Sequence, residues 1–187
     1  MIMSKLLILK DNFYPVLKEY IDKPFSYLEI GVFRGTSIEW VYNHIATHND
    51  ARIIGIDPWK YKYFNRHDVK DENDWEKLLE KLSDLQEKSK GKIRLIKGHS
   101  QNLINQFDKN SFDCIYIDGE HTCQSVLRDF VLSWPLLKDL GIMIFDDYVM
   151  KGNPQVRIAV DTILYALDKK CKILFRNNQV GIRKITE

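Results

Sequence analysis

Tyr27-Leu28-Glu29-Ile30-Gly31-Val32-Phe33-Arg34-Gly35-Thr36-Ser37 (YLEIGVFRGTS) decides how the chain is read. Ser26 to Ile30 is a short, largely apolar run that stops at Gly31, as a strand buried on both faces does. Ile38, Val41, Tyr42 and Ile45 then mark one face of a helix. The two glycines between them permit close backbone approach. The helix beginning at Thr36 and Ser37 turns free N–H groups toward any polar ligand at that turn. A plain strand-to-helix turn explains the same residues equally well. The pattern is not G-x-G-x-x-G, which weakens a dinucleotide reading.

Outward from this unit, strands and helices alternate. Arg52 to Asp57 is a second strand stopped by Pro58, and Trp75, Leu78, Leu79, Leu82 and Leu85 give the clearest amphipathic helix, ending near Gly91. Ile93 to Lys97 and Phe112 to Asp118 are further strands. Val126, Leu127, Phe130, Val131 and Trp134 form a helical face stopped by Pro135. Ile142 to Phe145 is a fifth strand, and Val156, Val160, Ile163, Leu164 and Leu167 another helix. Lys172 to Phe175 and Val180 to Ile185 flank Asn177-Asn178 as a hairpin. Upstream, Phe13, Val16, Leu17, Tyr20 and Ile21 predict a short first helix with Pro15 in its first turn. The alternation predicts an α/β, Rossmann-like doubly wound sheet of seven strands, mostly parallel with one C-terminal antiparallel hairpin strand. One domain over residues 1–187 is expected, with residues 1–24 as an N-terminal helical segment.

Composition narrows the function classes. Of 187 residues, 44% are apolar and 29% charged, which excludes a disordered or fibrous chain. The net charge of +2 lacks the basic excess of a dedicated nucleic-acid binder. No apolar run approaches the ~18 residues of a membrane span, and no cleavable leader is read at the N-terminus. Cys114, Cys123 and Cys171 are odd in number and lack C-x-x-C spacing, so a reducing cytoplasm is expected rather than a disulfide framework.

In a doubly wound sheet, ligands bind beyond the carboxyl ends of the strands. Asp57, at the end of the second strand, suits two ribose hydroxyls, or caps the turn before Pro58. Ser100, after the third, suits an adenine edge or a helix N-cap. The fourth strand ends in Asp118-Gly119-Glu120-His121 and the fifth in Asp146-Asp147-Tyr148. Asp118, Asp146 and Asp147 would converge on one rim and repel unless a cation sits among them. A hard divalent ion such as Mg²⁺ satisfies that need; helix capping with solvent screening is the alternative.

These residues together resemble a known family. YLEIGVFRGTS followed by IIGIDPW resembles the first two motifs of class I S-adenosylmethionine-dependent methyltransferases, and IYIDGEHTCQSVLRDFVLSWPLLKDLGIMIFDDY resembles the metal-dependent O-methyltransferase branch acting on small molecules and sugars. The resemblance runs from about Ser26 to Tyr148. It implies S-adenosyl-L-methionine as cofactor, with Glu29 and Gly31 at its methionine end and Gly35, Thr36 and Ser37 in the same loop. It further implies Asp57 on the ribose, Trp59 and Ser100 flanking the adenine, and Mg²⁺ on Asp118, Asp146 and Asp147. Asp118 serves cofactor and catalysis alike in that reading. His121 is the implied general base, its alternative being a cap on the helix at Thr122.

The chain is short for such enzymes and leaves little room for a lid domain. Residues 58–75 are the candidate substrate lid: Trp59, Tyr61, Tyr63, Phe64 and Trp75 interleave with Lys60, Lys62, Arg66 and His67. A nucleic-acid surface, which such interleaving also suits, and packing on the sheet edge are the alternatives. Met1 to Tyr20 carries apolar surface that suits a homo-oligomer. A small-molecule or glycan acceptor is expected, without membrane or nucleic acid. Two readings compete with this one: a metal-independent methyltransferase of the same fold on another acceptor atom, and a non-catalytic binding or assembly protein.

Overall fold

The computed structural model describes residues 2–60, Val69 and residues 71–185. Its order begins with α1 (Ile2–Ile8), a π turn over Leu9–Phe13 and α2 (Tyr14–Leu17). There follow β1 (Ser26–Ile30), α3 (Thr36–His44), β2 (Arg52–Asp57), α4 (Glu72–Lys88) and β3 (Ile93–Lys97). After α5 (Ser100–Leu103) come β4 (Phe112–Ile117), α6 (Cys123–Ser133), β5 (Leu137–Phe145), α7 (Gln155–Leu167), β6 (Cys171–Arg176) and β7 (Val180–Lys184).

The seven strands form one sheet in the order β3-β2-β1-β4-β5-β7-β6. Strands β1 to β5 pair in parallel, and β7 runs antiparallel between β5 and β6. This is the doubly wound, Rossmann-like sheet expected, with its single antiparallel strand. Alternate side chains divide the core in two. Tyr27, Ile53, Cys114 and Tyr116 face Leu9, Phe13, Leu17, Ile38, Val41 and Leu82 on one side. Leu28, Ile56, Ile115 and Met143 face Val126, Val160 and Ile163 on the other. Both faces are covered, as a parallel sheet requires.

Two elements differ from expectation. Helix begins at Ile2 rather than near Phe13, and Pro15 falls in the first turn of α2 directly after the π turn. Lys5, Lys10 and Asn12 interrupt the apolar period there, so the periodicity shows only its last part. Strand β5 starts at Leu137, five residues earlier than the run Ile142 to Phe145 predicts. Its pairing with β4 jumps from Phe112↔Leu137 to Cys114↔Ile142, with Leu140 exposed at φ 62° inside the bulge. An outward, left-handed leucine breaks the alternation that marks a strand.

Residues 61–68 and 70 of the candidate lid over 58–75 lie outside the described residues, and its residues 72–75 open α4. Of its described residues, Trp59 and Val69 are buried in the core. Among the described residues no helix is long and apolar enough to cross a membrane.

Candidate functional site

The strand order reverses between β1 and β4, and the crevice of such a sheet opens there. Gly31 and Asp118 border it. Gly31 has φ 91°, and a Cβ on it would lie 2.1 Å from the Asp118 carbonyl oxygen and 2.7 Å from Gly119 Cα. Only glycine fits. Gly35, at φ 72°, caps α3 without a side-chain hydrogen bond, so the first amides of that helix keep no side-chain partner at the cap. Three non-glycine residues at strand ends also sit at positive φ: Phe33 (47°), Trp59 (38°) and Asp147 (53°). Strain of this kind collects where surrounding structure fixes a ligand-facing turn.

Asp57 is the clasp between two of these turns. It is 3% exposed, and its Oδ2 accepts the Phe33 N–H at 2.9 Å while Oδ1 accepts the Trp59 N–H at 2.7 Å. The Trp59 indole N–H returns a bond to the Phe33 carbonyl at 3.1 Å. Burial raises the Asp57 carboxyl, against the pull of those amides. Its contacts are therefore the turn-capping ones. Trp59 itself is buried in the core rather than standing over an open surface.

Glu29 is fully buried in β1. Ser37 Oγ donates to its Oε1 at 2.7 Å and the Tyr27 hydroxyl to Oε2 at 2.9 Å. Burial pushes its pKa up to about 8 despite both bonds. Glu29 thus ties β1 to the first turn of α3 and reaches the crevice through Ser37. Thr36 is half-buried and lines a cavity of about 720 Å³ with Arg34 and Trp40. Ser100 donates to Asp129 Oδ1 on α6 at 2.6 Å, and His99 rather than Ser100 stands at the N-cap of α5.

The carboxylate rim is where the structure departs most from the expected set. Asp118, Asp146 and Asp147 do gather at the ends of β4 and β5, and a cation does sit among them: the ammonium of Lys5. Lys5 Nζ donates to Asp118 Oδ2 at 2.7 Å, to the Tyr116 hydroxyl at 2.9 Å and to Asp146 Oδ2. Tyr116 donates in turn to Asp146 Oδ2 at 2.6 Å, and Gln179 Nε2 to Asp146 Oδ1 at 2.8 Å. Both oxygens of Asp146 are taken up inside the protein. Burial works against its charge, but Lys5 and these hydrogen bonds hold the carboxyl down at about 2.

His121 stands where the third carboxylate was expected. Its Nε2 lies 3.0 Å from Asp147 Oδ2 and 4.0 Å from Asp118 Oδ1. One ligand atom each from Asp118, His121 and Asp147 falls within 4.8 Å of the others. Burial, then the charges of Asp146 and Asp118, raise Asp147 to about 6. Burial and Asp146 likewise raise Asp118. Asp118, and then the charge of Asp147, raise the imidazole of His121 from its ordinary value against the opposing effect of burial. Thr122, not His121, caps α6, accepting the Ser125 N–H at 3.2 Å.

Lys5, Asn12 and Gln179 are site residues outside the motifs, and Tyr116 is a further one in the run just before Asp118. Asn12 Nδ2 donates to Gln179 Oε1 at 2.9 Å and pairs with Asn177 on the β6–β7 turn, so the N-terminal helix is clasped to the last hairpin. One signal was present in the sequence: Lys5 and Asn12 share a helical face with the apolar Leu9.

Residues 28–148 match the family described as "Methyltransferase domain". Uncharacterized protein R132 of Acanthamoeba polyphaga mimivirus is 30% identical over 144 residues, 74% of this chain and 59% of the relative. The chain thus spans a little under three fifths of that relative's length. Among solved structures, a Clostridium thermocellum protein proposed as an rRNA methylase superposes with a TM-score of 0.67 at 16% identity, covering 94% of this chain and 97% of its own. The TDP-rhamnose 3'-O-methyltransferase CalS11 of calicheamicin biosynthesis gives 0.67 at 16%, over 97% and 79%. The mycinamycin-pathway methyltransferase MycE, solved with Mg, SAH and mycinamycin VI, gives 0.63 at 15%, over 95% and 49%. At these identities the solved structures speak for the fold. The family match spans both glycines, Asp57 and the whole carboxylate rim, and on it the chain belongs to the methyltransferase domain family, built on the class I fold of S-adenosylmethionine-dependent enzymes.

Proposed function

We propose that the protein transfers the methyl group of S-adenosylmethionine to a hydroxyl of a small molecule or sugar, with a divalent cation such as Mg²⁺ at the rim. The observation that carries this reading is the grouping of Asp118, His121 and Asp147 beside the Gly31 turn at the switch point. Two carboxylates and an imidazole form a donor set that fits a hard or borderline divalent ion. MycE in complex with mycinamycin VI and the TDP-rhamnose 3'-O-methyltransferase CalS11 support the acceptor class.

In this reading the loop from Gly31 to Ser37 and the amides of α3 line the cofactor, with Glu29 fixing Ser37 from behind. The Asp57 carboxylate has more lone pairs than backbone amides to accept, which leaves room for a ribose hydroxyl without opening the clasp. Trp59 and Ser100 shape the adenine side. Asp118, His121 and Asp147 would hold the cation, which supplies acidification of an acceptor hydroxyl. The methyl group is already activated on its sulfonium, so the protein's share is alignment of the oxygen with it.

A second reading is favoured by Lys5. Its ammonium already neutralises Asp118 and Asp146, and His121 then serves as the base with no cation present. Calorimetric titration with S-adenosylmethionine, with and without Mg²⁺, followed by transfer assays on sugars and phenols, separates these readings. Micromolar cofactor binding and Mg²⁺-dependent transfer are expected. Transfer indifferent to Mg²⁺ and to chelator selects the second reading. No cofactor binding under either condition leaves a non-catalytic binding protein.

A further inference from the structure

Lys5 lies outside every motif, yet it makes the contacts that determine which carboxylates a cation can reach. All three hydrogens of its ammonium are spent, on Asp118 Oδ2, Asp146 Oδ2 and the Tyr116 hydroxyl. Asp146 is held in that arrangement from its other oxygen by Gln179. Asp118 faces two ways, with Oδ2 on Lys5 and Oδ1 toward His121.

We propose that Lys5 is a positioning residue that sets the divalent-cation affinity of the rim, by reserving Asp146 for itself and sharing Asp118 with the bound ion. The inference rests on the cation reading given above. Two positive groups on one partly buried carboxylate repel each other. Docking of Lys5 and binding of the ion therefore oppose one another, and the opposition is reciprocal. The ion weakens the anchor of α1, and the anchor weakens the ion. Because Asn12 clasps the following π turn to both Gln179 and Asn177, α1 loosens without leaving the fold.

The test is Mn²⁺ titration by calorimetry of the wild type, Lys5→Met and Lys5→Arg, with hydrogen exchange of the α1 amides read in the same samples. Lys5→Met keeps the apolar stem and removes the charge; about tenfold tighter Mn²⁺ binding is expected. Lys5→Arg restores the charge and should return the affinity toward the wild-type value, which a purely structural role of the side chain would not produce. Mn²⁺ should speed exchange of the α1 amides in the wild type and leave it unchanged in Lys5→Met. If Lys5→Met does not fold, Lys5→Gln makes the same comparison. Equal, measurable affinities in wild type and charge-free variant overturn the proposal and leave the cation reading standing. Absence of Mn²⁺ binding to every form overturns both.

Discussion

Gly31 and Asp118 meet backbone to backbone: the place of a Cβ on Gly31 is 2.1 Å from the Asp118 carbonyl oxygen. The two paired strands at whose ends the crevice opens therefore touch at its floor, and the rim carboxylate is held at a height set by a residue with no side chain. Gly31→Ala must displace β4 and also bear a positive φ. A loss upwards of about 3 kcal/mol in urea unfolding is expected. Gly152 is the control, with φ 77° and nothing within 4 Å of its Cβ position. Gly152→Ala should cost about 1 kcal/mol from backbone conformation alone. Similar losses in the two variants would refute the close-approach account.

Asp57 holds the turns of Phe33 and Trp59 before any ligand arrives. Asp57→Ala strands two amides in buried surroundings, and about 2 kcal/mol of stability should be lost in the ligand-free protein. Differential calorimetry without cofactor reads this directly. A variant with unaltered melting that binds cofactor less well would show that the carboxylate serves the ribose and not the fold.

Glu29 gives stability a distinctive pH dependence. Its folded pKa of about 8 exceeds the ordinary 4.5, so the folded chain keeps a proton that the unfolded chain releases. Stability should therefore fall as pH rises from about 4.5 through about 8, by roughly 5 kcal/mol from this one group. Glu29→Gln removes the titration, and its urea midpoint should change less than that of the wild type between pH 5 and pH 8. Parallel pH profiles for the two proteins would count against a protonated Glu29.

Asn12 clasps the π turn to Gln179 and Asn177. Asn12→Ala leaves buried amide groups short of partners and should lower stability by about 1–2 kcal/mol. Gln179 also loses one of its tethers, so the hydrogen exchange of β7 should rise along with that of α1. Exchange raised in α1 alone would place the clasp elsewhere.

The strands were legible where an apolar run ends on a strong punctuator. Strands β1, β2 and β3 have the bounds that Gly31, Pro58 and Gly98 suggest, and β4 stops one residue short of Asp118. The rim was legible too, because strand topology alone carries Asp118 and the Asp146–Asp147 pair to one edge. What periodicity cannot show is which polar group answers another across 141 positions, as Lys5 and Asp146 do. Lys5 reads as an ordinary solvated lysine until α1 is laid across the strand ends. The bulge at Leu140 was hidden for a related reason: left-handed backbone at a leucine leaves no mark in composition.

The placing of β7 between β5 and β6 bears on the order in which the molecule is assembled. Gln179, which steadies Asp146, and Asn177, which receives Asn12, belong to the last turn of the sheet to be synthesised. On the ribosome, the glycine turn and the strands up to β5 can form while Asn12 and the second oxygen of Asp146 still lack their partners. Closure of the rim then pairs some of the most distant segments in the sequence, a slow kind of contact. Chaperone dependence should accordingly concentrate in the interval after β5 emerges and before β7 is threaded beside it.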